Sequence, residues 1–442
     1  MQDDDLSKAR HRAVPSGRLA RLGGFGRLAG GVAGGMLAEG ARRLAAGERP
    51  KVGDLILTPG NAARVADRLS HLRGAAMKLG QMISMDAGDV LPPELQTILA
   101  QLRNQAYRMP PQQLDRVLRE EWGADWRRRF RHFEASPVAA ASIGQVHRAT
   151  LPDGRLLAIK VQYPGVADSI GADVDNVATL LRVSGLLPAT LDLKPLLEEA
   201  KRQLAEEADY VREGAELRAY RERLAGDARY VVPALEEALT TKRVLAMEFV
   251  AGRPIEALEE ASQDARDAAM TSLITLVLRE LFEFGVMQTD PNFANYRWQP
   301  ETGALVLLDF GAARRVPAET AAGYRRLIEA GLARDHDAIR ETAVAVGFLG
   351  AAAAAAHRPA IDRIIAAIDE ALNRPGPFDF GDRAFVPVVR EEAKAMIADR
   401  TTWHVPHVET LFVQRKVSGT ALLAARLKAR VDVRGLAAAA VG

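Results

Sequence analysis

Apolar residues recurring at steps of three and four dominate this chain. Its organisation shows where that period gives way to alternation or to a solid apolar run. Over residues 63–85, Val65, Leu69, Leu72, Ala76, Leu79 and Ile83 form one helical stripe. Pro92-Pro93 ends that segment, and 112–121 predicts a further short helix. Near Glu134 the period changes: 146–150 and 156–161 read as strands joined by the turn Pro152-Asp153-Gly154. The acidic run 198–216 returns to helical spacing through Leu204 and Val211, and 231–235 and 244–247 read as strands. A long helix is expected over 264–284, with Leu273, Leu276, Val277, Glu280, Leu281 and Phe284 along its mostly apolar face. Leu305-Val306-Leu307-Leu308 then reads as a buried strand. Helices follow over 319–333, 337–346, 360–372, 384–397 and 408–427, and the alanine run 351–356 is helix-prone as well.

Composition narrows the class. With 442 residues, 48% hydrophobic and 26% charged, the chain can bury one large or two ordinary cores, as a folded enzyme does. A net charge of +2 and the lack of a basic stripe interleaved with aromatics argue against a nucleic-acid binder. The chain has no cysteine, which excludes disulfides and thiolate metal sites and fits a reducing compartment. Residues 8–38 are basic, Gly-rich and free of acids, and their longest charge-free part, 28–38, is shorter than the roughly 20 apolar residues that span a bilayer. The segment suits either a membrane surface or a solvated tail.

The chemistry concentrates in 287–311. Asp290 is followed five residues later by Asn295, and Asp309-Phe310-Gly311 closes the buried apolar run. In phosphoryl transfer an acid in this position orients the nucleophile, and the Asn and the second Asp hold the metal. Asp379-Phe380-Gly381 repeats the tripeptide in a loop-like context with no upstream Asp-x-x-x-x-Asn, so it is expected to be inert. Lys160 sits inside an apolar strand, Leu157-Ala158-Ile159-Lys160, where an ammonium needs a partner. Glu206, Glu207, Asp209, Glu213 and Glu216 are the available helix carboxylates. The segment before the paired strands, Ala139-Ala140-Ala141-Ser142, is rich in alanine where a phosphate loop is rich in glycine. Met247-Glu248-Phe249-Val250 leaves a strand into a Gly-containing turn, and Lys78 and Gln81 share one face of the first helix.

Taken together, Lys78-Leu79-Gly80-Gln81, the alanine segment, AIKVQYPGV, EADYVRE, MQTDPNFANY and LLDFGAARR resemble the UbiB/ADCK atypical kinase-like family. Gln288 and Asn292 make the motif most similar to the mitochondrial coenzyme Q branch and its bacterial relatives, over about residue 8 to the end. The resemblance implies an α+β, two-lobe protein-kinase-like fold: a basic segment 1–60, a helical extension 61–133 packed over the active site, a mixed N-lobe 134–250 and a helical C-lobe 251–442. It also implies ATP or ADP with Mg²⁺ as cofactors. Lys160 would hold the phosphates with Glu213 as its preferred partner, Glu207 remaining an alternative. Ala139, Ala140, Ala141 and Ser142, with the backbone at Glu248 and Val250, would contact the nucleotide. Asp290 would be the catalytic-loop acid, Asn295 and Asp309 the metal ligands, and Lys78, Gln81, Glu207 and Asp209 the regulatory set.

The implied role is ATP hydrolysis in support of ubiquinone biosynthesis, at the cytoplasmic face of a bacterial membrane, with quinone precursors, lipids or biosynthetic proteins as partners and no nucleic acid. Bacterial members often end in transmembrane helices; none is read after Gly311, so attachment is expected to be peripheral or through the N-terminal segment. A small-molecule or lipid kinase and a nucleotide-gated scaffold are the alternatives.

Overall fold

The computed structural model describes residues 109–141, 143–183, 194–399, 402 and 408–442. Lys78, Gln81, Ser142 and the helix expected over 63–85 lie outside the described residues. The chain divides into two compact units. One takes the described residues up to Ala215 together with Ala234–Phe249, and the other takes Glu216–Pro233 and Val250–Gly442. The sequence expects an N-lobe over 134–250 and a C-lobe over 251–442; Glu216–Pro233 groups with the second unit. The reason is a strand that pairs there, Leu305 with Tyr230 and Val306 with Val231.

In chain order the first unit contains α1 (Pro111–Trp122), β1 (His132–Phe133), β2 (Ala139–Ala140), β3 (Gly144–Thr150), β4 (Leu156–Gln162), α2 (Val166–Val183) and α3 (Lys194–Glu207). The start of α4 (Tyr210–Arg223) follows, and after β5 (Tyr230–Val231) of the other unit comes β6 (Val244–Glu248). The sheet is antiparallel, ordered β1-β3-β4-β6 with β2 also paired to β3. β4 is its most enclosed strand: only Leu156 is exposed and the six residues after it are buried, as a strand covered on both faces requires. The apolar spacing of α1 places Leu114, Val117, Leu118 and Trp122 on the core face. Trp122, Trp126, Phe130 and Phe133 pack there at centroid distances between 4.9 and 6.3 Å. The Trp122 indole donates to the Leu239 carbonyl, 2.9 Å away.

A buried polar chain runs through this core. The Met109 amide donates to Gln145 Oε1 (2.9 Å), which turns Gln145 Nε2 toward His147 Nε2 (2.9 Å), while His147 Nδ1 lies 2.8 Å from the Glu134 carbonyl. A carbonyl only accepts, so Nδ1 carries the proton, Nε2 accepts from the amide, and the imidazole is neutral. Burial pushes the His147 pKa down from 6.5 to about 4. Because the folded state refuses a proton that the unfolded chain takes up, this contribution is complete above pH 6.5 and is lost as pH falls toward 4. It amounts to about 3 kcal/mol. Thermal unfolding between pH 7 and 4.5 should therefore show a steeper loss of melting temperature for the wild type than for His147→Phe; equal slopes would refute the assignment.

Two sequence expectations change in detail. The helical run 198–216 is broken: α3 ends at Glu207, and the Asp209 carboxylate accepts from the amides of Val211 and Arg212 (3.1 Å each), capping α4. The strand expected over 231–235 stops at Val231, since Pro233 supplies no amide hydrogen to a ladder; Leu235 makes an isolated bridge to Met247 within the first unit.

In the second unit β7 (Arg253–Pro254) leads to α5 (Gln263–Arg279), capped by Ser262 Oγ, which accepts from the Ala265 amide at 3.3 Å. The helix expected to run regularly to 284 widens into a π turn over Glu280–Phe284 and ends at Gly285, whose φ of 60° suits a residue without a side chain. β8 (Val286–Gln288), β9 (Tyr296–Trp298), β10 (Leu305–Leu307) and β11 (Ala313–Arg315) form two small sheets, β5-β10-β9-β7 and β8-β11. Six helices follow: α6 (Ala318–Ala333), α7 (His336–Ala345), α8 (Ala351–Ala356), α9 (Arg358–Leu372), α10 (Val386–Ala398) and α11 (Val408–Leu427). The chain closes with β13 (Arg430–Val431), paired to β12 (Phe378–Asp379), and with α12 (Val433–Val441). Val277, Leu281, Met287, Tyr324, Phe412 and Val413 form a core of this unit. Among the described residues no helix is long and apolar enough to cross a membrane.

Candidate active site

Lys160 lies on β4 between Val146 of β3 and Leu245 of β6, and is only 7% exposed. An ammonium buried this far needs compensation. Glu213 supplies it, with Lys160 Nζ 2.9 Å from Oε1 and 3.0 Å from Oε2. The Asp209 cap explains the placement, because it starts α4 so that Glu213, whose amide donates to the Asp209 carbonyl at 3.0 Å, falls in the first turn. The Tyr210 ring flanks the ammonium at 5.0 Å. The structure thus brings Glu213 to Lys160, while Asp209 acts as the cap and Glu207 ends α3 half-buried.

The alanine segment is more ordered than a loop. Ala139 and Ala140 pair with Val146 and Gln145, and the Ala141 amide donates to the Gly144 carbonyl at 2.9 Å. The segment is therefore the edge of a hairpin that turns just before β3. At the end of β6 the Glu248 amide donates to the Ala234 carbonyl (2.8 Å), and its carboxylate accepts from the Ala234 amide (3.1 Å). The Glu248 N–H is thus engaged within the first unit. Val250, in the second unit, is half-buried.

In the second unit two strand pairings bring Asp290, Asn295 and Asp309 together. Before the loop, Gln288 pairs with Ala313; after it, Tyr296 pairs with Leu307. The Thr289 amide and hydroxyl both reach the Ala312 carbonyl (3.1 and 2.9 Å), and the Leu308 amide donates to the Asn295 carbonyl (3.0 Å). Asp290 and Asp309 thus follow directly from stapled positions. Asn292 Oδ1 accepts from the Ala294 amide at 3.2 Å and turns the loop, and Asn295 Nδ2 approaches the Asp290 carbonyl at 3.4 Å. That leaves Asn295 Oδ1 as the side-chain oxygen that could take a cation. Asp309 Oδ1 accepts from the Gly311 amide at 3.0 Å, and Phe310 is buried against Tyr220 with ring centroids 4.7 Å apart.

Carboxylate and amide oxygens are hard donors of the kind Mg²⁺ takes, and Mg²⁺ normally completes its shell with phosphate oxygens and water. The residues present fit that cation. Among the described residues no group of three His, Cys, Asp or Glu side chains converges on one point.

Asp379-Phe380-Gly381 forms the same local turn, the Gly381 amide donating to Asp379 Oδ1 at 2.8 Å. Its other oxygen pairs with Arg430 at 3.4 Å, and its strand is a two-residue edge rather than a buried core strand. The tripeptide fixes a turn; only the first copy adds the stapled loop.

Sequence reasoning missed the layer beneath the site. Glu280, Tyr220, Gln288, Tyr296 and Lys416 line a cavity of about 10 Å³ together with Asn295 and Asp309. The signal was present, since Glu280 falls on an apolar helical face where a lone carboxylate is out of place.

A family model for the ABC1 atypical kinase-like domain matches residues 101–343, more than half of the chain. This chain belongs to the ABC1 atypical kinase-like family. As expected of an ABC1 member, it is similar along nearly its whole length to "Atypical kinase COQ8B, mitochondrial" of Danio rerio, with 37% identity over 433 residues, 97% of this chain and 69% of that one. It is 38% identical to "Atypical kinase coq-8, mitochondrial" of Caenorhabditis elegans over 442 residues, 98% of this chain, and spans 58% of that protein's length. Among solved structures, the Rv3197–erythromycin complex from Mycobacterium tuberculosis matches with a TM-score of 0.60 and 26% identity, covering 85% of this chain and 94% of that one. The ABC1 chain therefore has the two-lobe, α+β kinase-like fold.

Proposed function

We propose that this ABC1 chain is an Mg²⁺-ATP-hydrolysing, kinase-like ATPase that supports coenzyme Q biosynthesis. The observation that carries the reading is the stapled loop that sets Asp290 five residues before Asn295, since a nucleotide-gated scaffold uses the metal ligands but has no need of the Asp290 acid. The buried Lys160–Glu213 pair supports it from the other unit. The relatives named coq-8 and COQ8B supply the pathway.

In this reading Lys160 grips nucleotide phosphates, with Glu213 keeping its ammonium charged and oriented. Asn295 Oδ1 and the Asp309 carboxylate hold the metal, which when bound neutralises charge developing on the transferred phosphoryl group. Asp290 orients the attacking water and takes its proton. Positioning and electrostatics supply most of the catalysis, since phosphoryl transfer asks little covalent help of the protein. The chain contacts the inner face of a bacterial membrane peripherally, where lipid-borne quinone precursors and the enzymes that process them reside.

The fate of the γ-phosphate tests the proposal. Labelled phosphate released as inorganic phosphate, faster with anionic vesicles and a phenolic quinone-head analogue, is the expected outcome. Transfer of label to the lipid or the phenol would make the chain a small-molecule kinase instead.

A further inference from the structure

One face of α11 meets the catalytic loop at three places. Lys416 is 1% exposed and its ammonium makes three contacts: Tyr296 Oη at 2.9 Å, Gln288 Oε1 at 3.4 Å and Glu280 Oε2 at 3.4 Å. Gln288 stands two residues before Asp290, and Tyr296 directly follows Asn295. One side chain therefore holds both ends of the loop. Three residues along the helix, on the same face, a Cβ on Gly419 would collide with the ring of Pro291, so the loop's middle rests on bare helix backbone. The Thr420 hydroxyl donates to the Lys416 carbonyl at 2.8 Å, closing the turn between these two contacts.

Glu280 completes the arrangement from the π turn. Its Oε1 accepts from Tyr220 Oη at 2.9 Å and from the Gln288 amide at 3.1 Å, fixing the strand that feeds the loop. Its Oε2 faces Lys416 as an ion pair rather than through an aligned hydrogen bond. Burial pushes the Glu280 carboxyl upward against the pull of Lys416. For Lys416, burial alone would lower the pKa, but Glu280 and Tyr296 outweigh it and push it up to about 12, so it stays an ammonium, hydrogen-bonded to Tyr296 Oη and Gln288 Oε1 and ion-paired with Glu280. A buried pair of this kind is poor evidence for stability, because apolar residues of similar volume would often serve as well. What such residues could not do is tie β8 and β9 to one point.

We propose that Lys416 and Gly419 of α11, backed by Glu280, are positioning residues that clamp the 289–295 loop so that Asp290 and Asn295 keep their spacing. This deepens the ATPase reading and rests on it for its kinetic test, while a second readout stands apart from turnover.

The test uses the full chain and two variants. Lys416→Met/Glu280→Gln removes both charges at once, so no unpaired buried ion remains and the fold is kept. Gly419→Ala leaves the charges intact and pushes on Pro291. In both variants kcat for Mg²⁺-ATP should fall about 100-fold, with KM changed less than about threefold because the nucleotide grip on Lys160 is untouched. Amide hydrogen exchange across 289–296 should quicken at least about tenfold, with the rest of the unit unchanged. Wild-type exchange and kcat in both variants, even with a lowered melting temperature, would reduce the cluster to a structural ion pair and overturn the proposal. Should the wild type itself show no turnover, the ATPase reading fails, and loop exchange alone decides between clamp and simple core packing.

Discussion

Asp309→Asn should abolish the Mg²⁺-dependence of nucleotide binding and lower ATP turnover by about 10²- to 10³-fold. The substitution keeps an oxygen that can accept from the Gly311 amide, so the turn that carries Phe310 into its contact with Tyr220 stays formed. What is lost is the charge offered to the cation, and Asn295 cannot replace it because an amide oxygen is neutral. Nucleotide titrations with and without Mg²⁺ read this directly: the wild-type affinity rises with the cation and the variant's does not. Asp379→Asn is a control internal to the chain, with the same tripeptide and local turn but an ion pair to Arg430 in place of the stapled loop. Full Mg²⁺-dependence in Asp309→Asn, or an equal loss in Asp379→Asn, would remove Asp309 from the metal site.

Glu213→Leu should cost about 3–5 kcal/mol of stability and nearly all turnover. Glu213 is 1% exposed and touches Lys160 with both oxygens, so the substitution strands an ammonium on a strand whose neighbours Ile159 and Val161 are wholly buried. The double variant Lys160→Met/Glu213→Leu removes the stranded charge and should regain most of the stability, but none of the activity, because the phosphate grip goes with Lys160. Denaturant unfolding followed beside ATP hydrolysis separates the two effects. A Glu213→Leu protein as stable as the wild type would mean that Lys160 does not depend on this carboxylate, and activity in the double variant would remove Lys160 from catalysis.

The parts of this molecule that can be read from sequence are those governed by local rules. A buried apolar run before Asp309 and a Lys in an apolar strand each carry their context beside them, and both strands are found, at Leu305–Leu307 and Leu156–Gln162. Helix α11 also matches its sequence bounds, Val408–Leu427. Where several carboxylates compete, local rules stop: the acidic run offers Glu206, Glu207, Asp209, Glu213 and Glu216 with similar credentials. Only the Asp209 cap, which breaks the run and restarts the helix, decides which of them faces Lys160.

The alanine segment misleads in the opposite sense. Small residues suggest a loop, while partners on β3 make Ala139–Ala140 a strand, a tertiary effect that propensity does not carry. Lys416 escapes notice because its partners lie 120, 128 and 136 residues away in the chain. Nothing within a helical turn of it announces a buried charge. Glu280 gave the better warning, being a carboxylate on a face otherwise made of Leu, Val and Phe.

We propose that ATP is hydrolysed at Asp290, Asn295 and Asp309 in the service of membrane-borne quinone precursors. The most direct measurement follows γ-labelled ATP with the full chain, with and without anionic vesicles carrying a phenolic quinone-head analogue, beside Asp290→Asn. Label should appear as inorganic phosphate, released faster when vesicles and phenol are both present, and the release should disappear in the variant. Label carried into the lipid or phenol fraction, or release unchanged in Asp290→Asn, would contradict it.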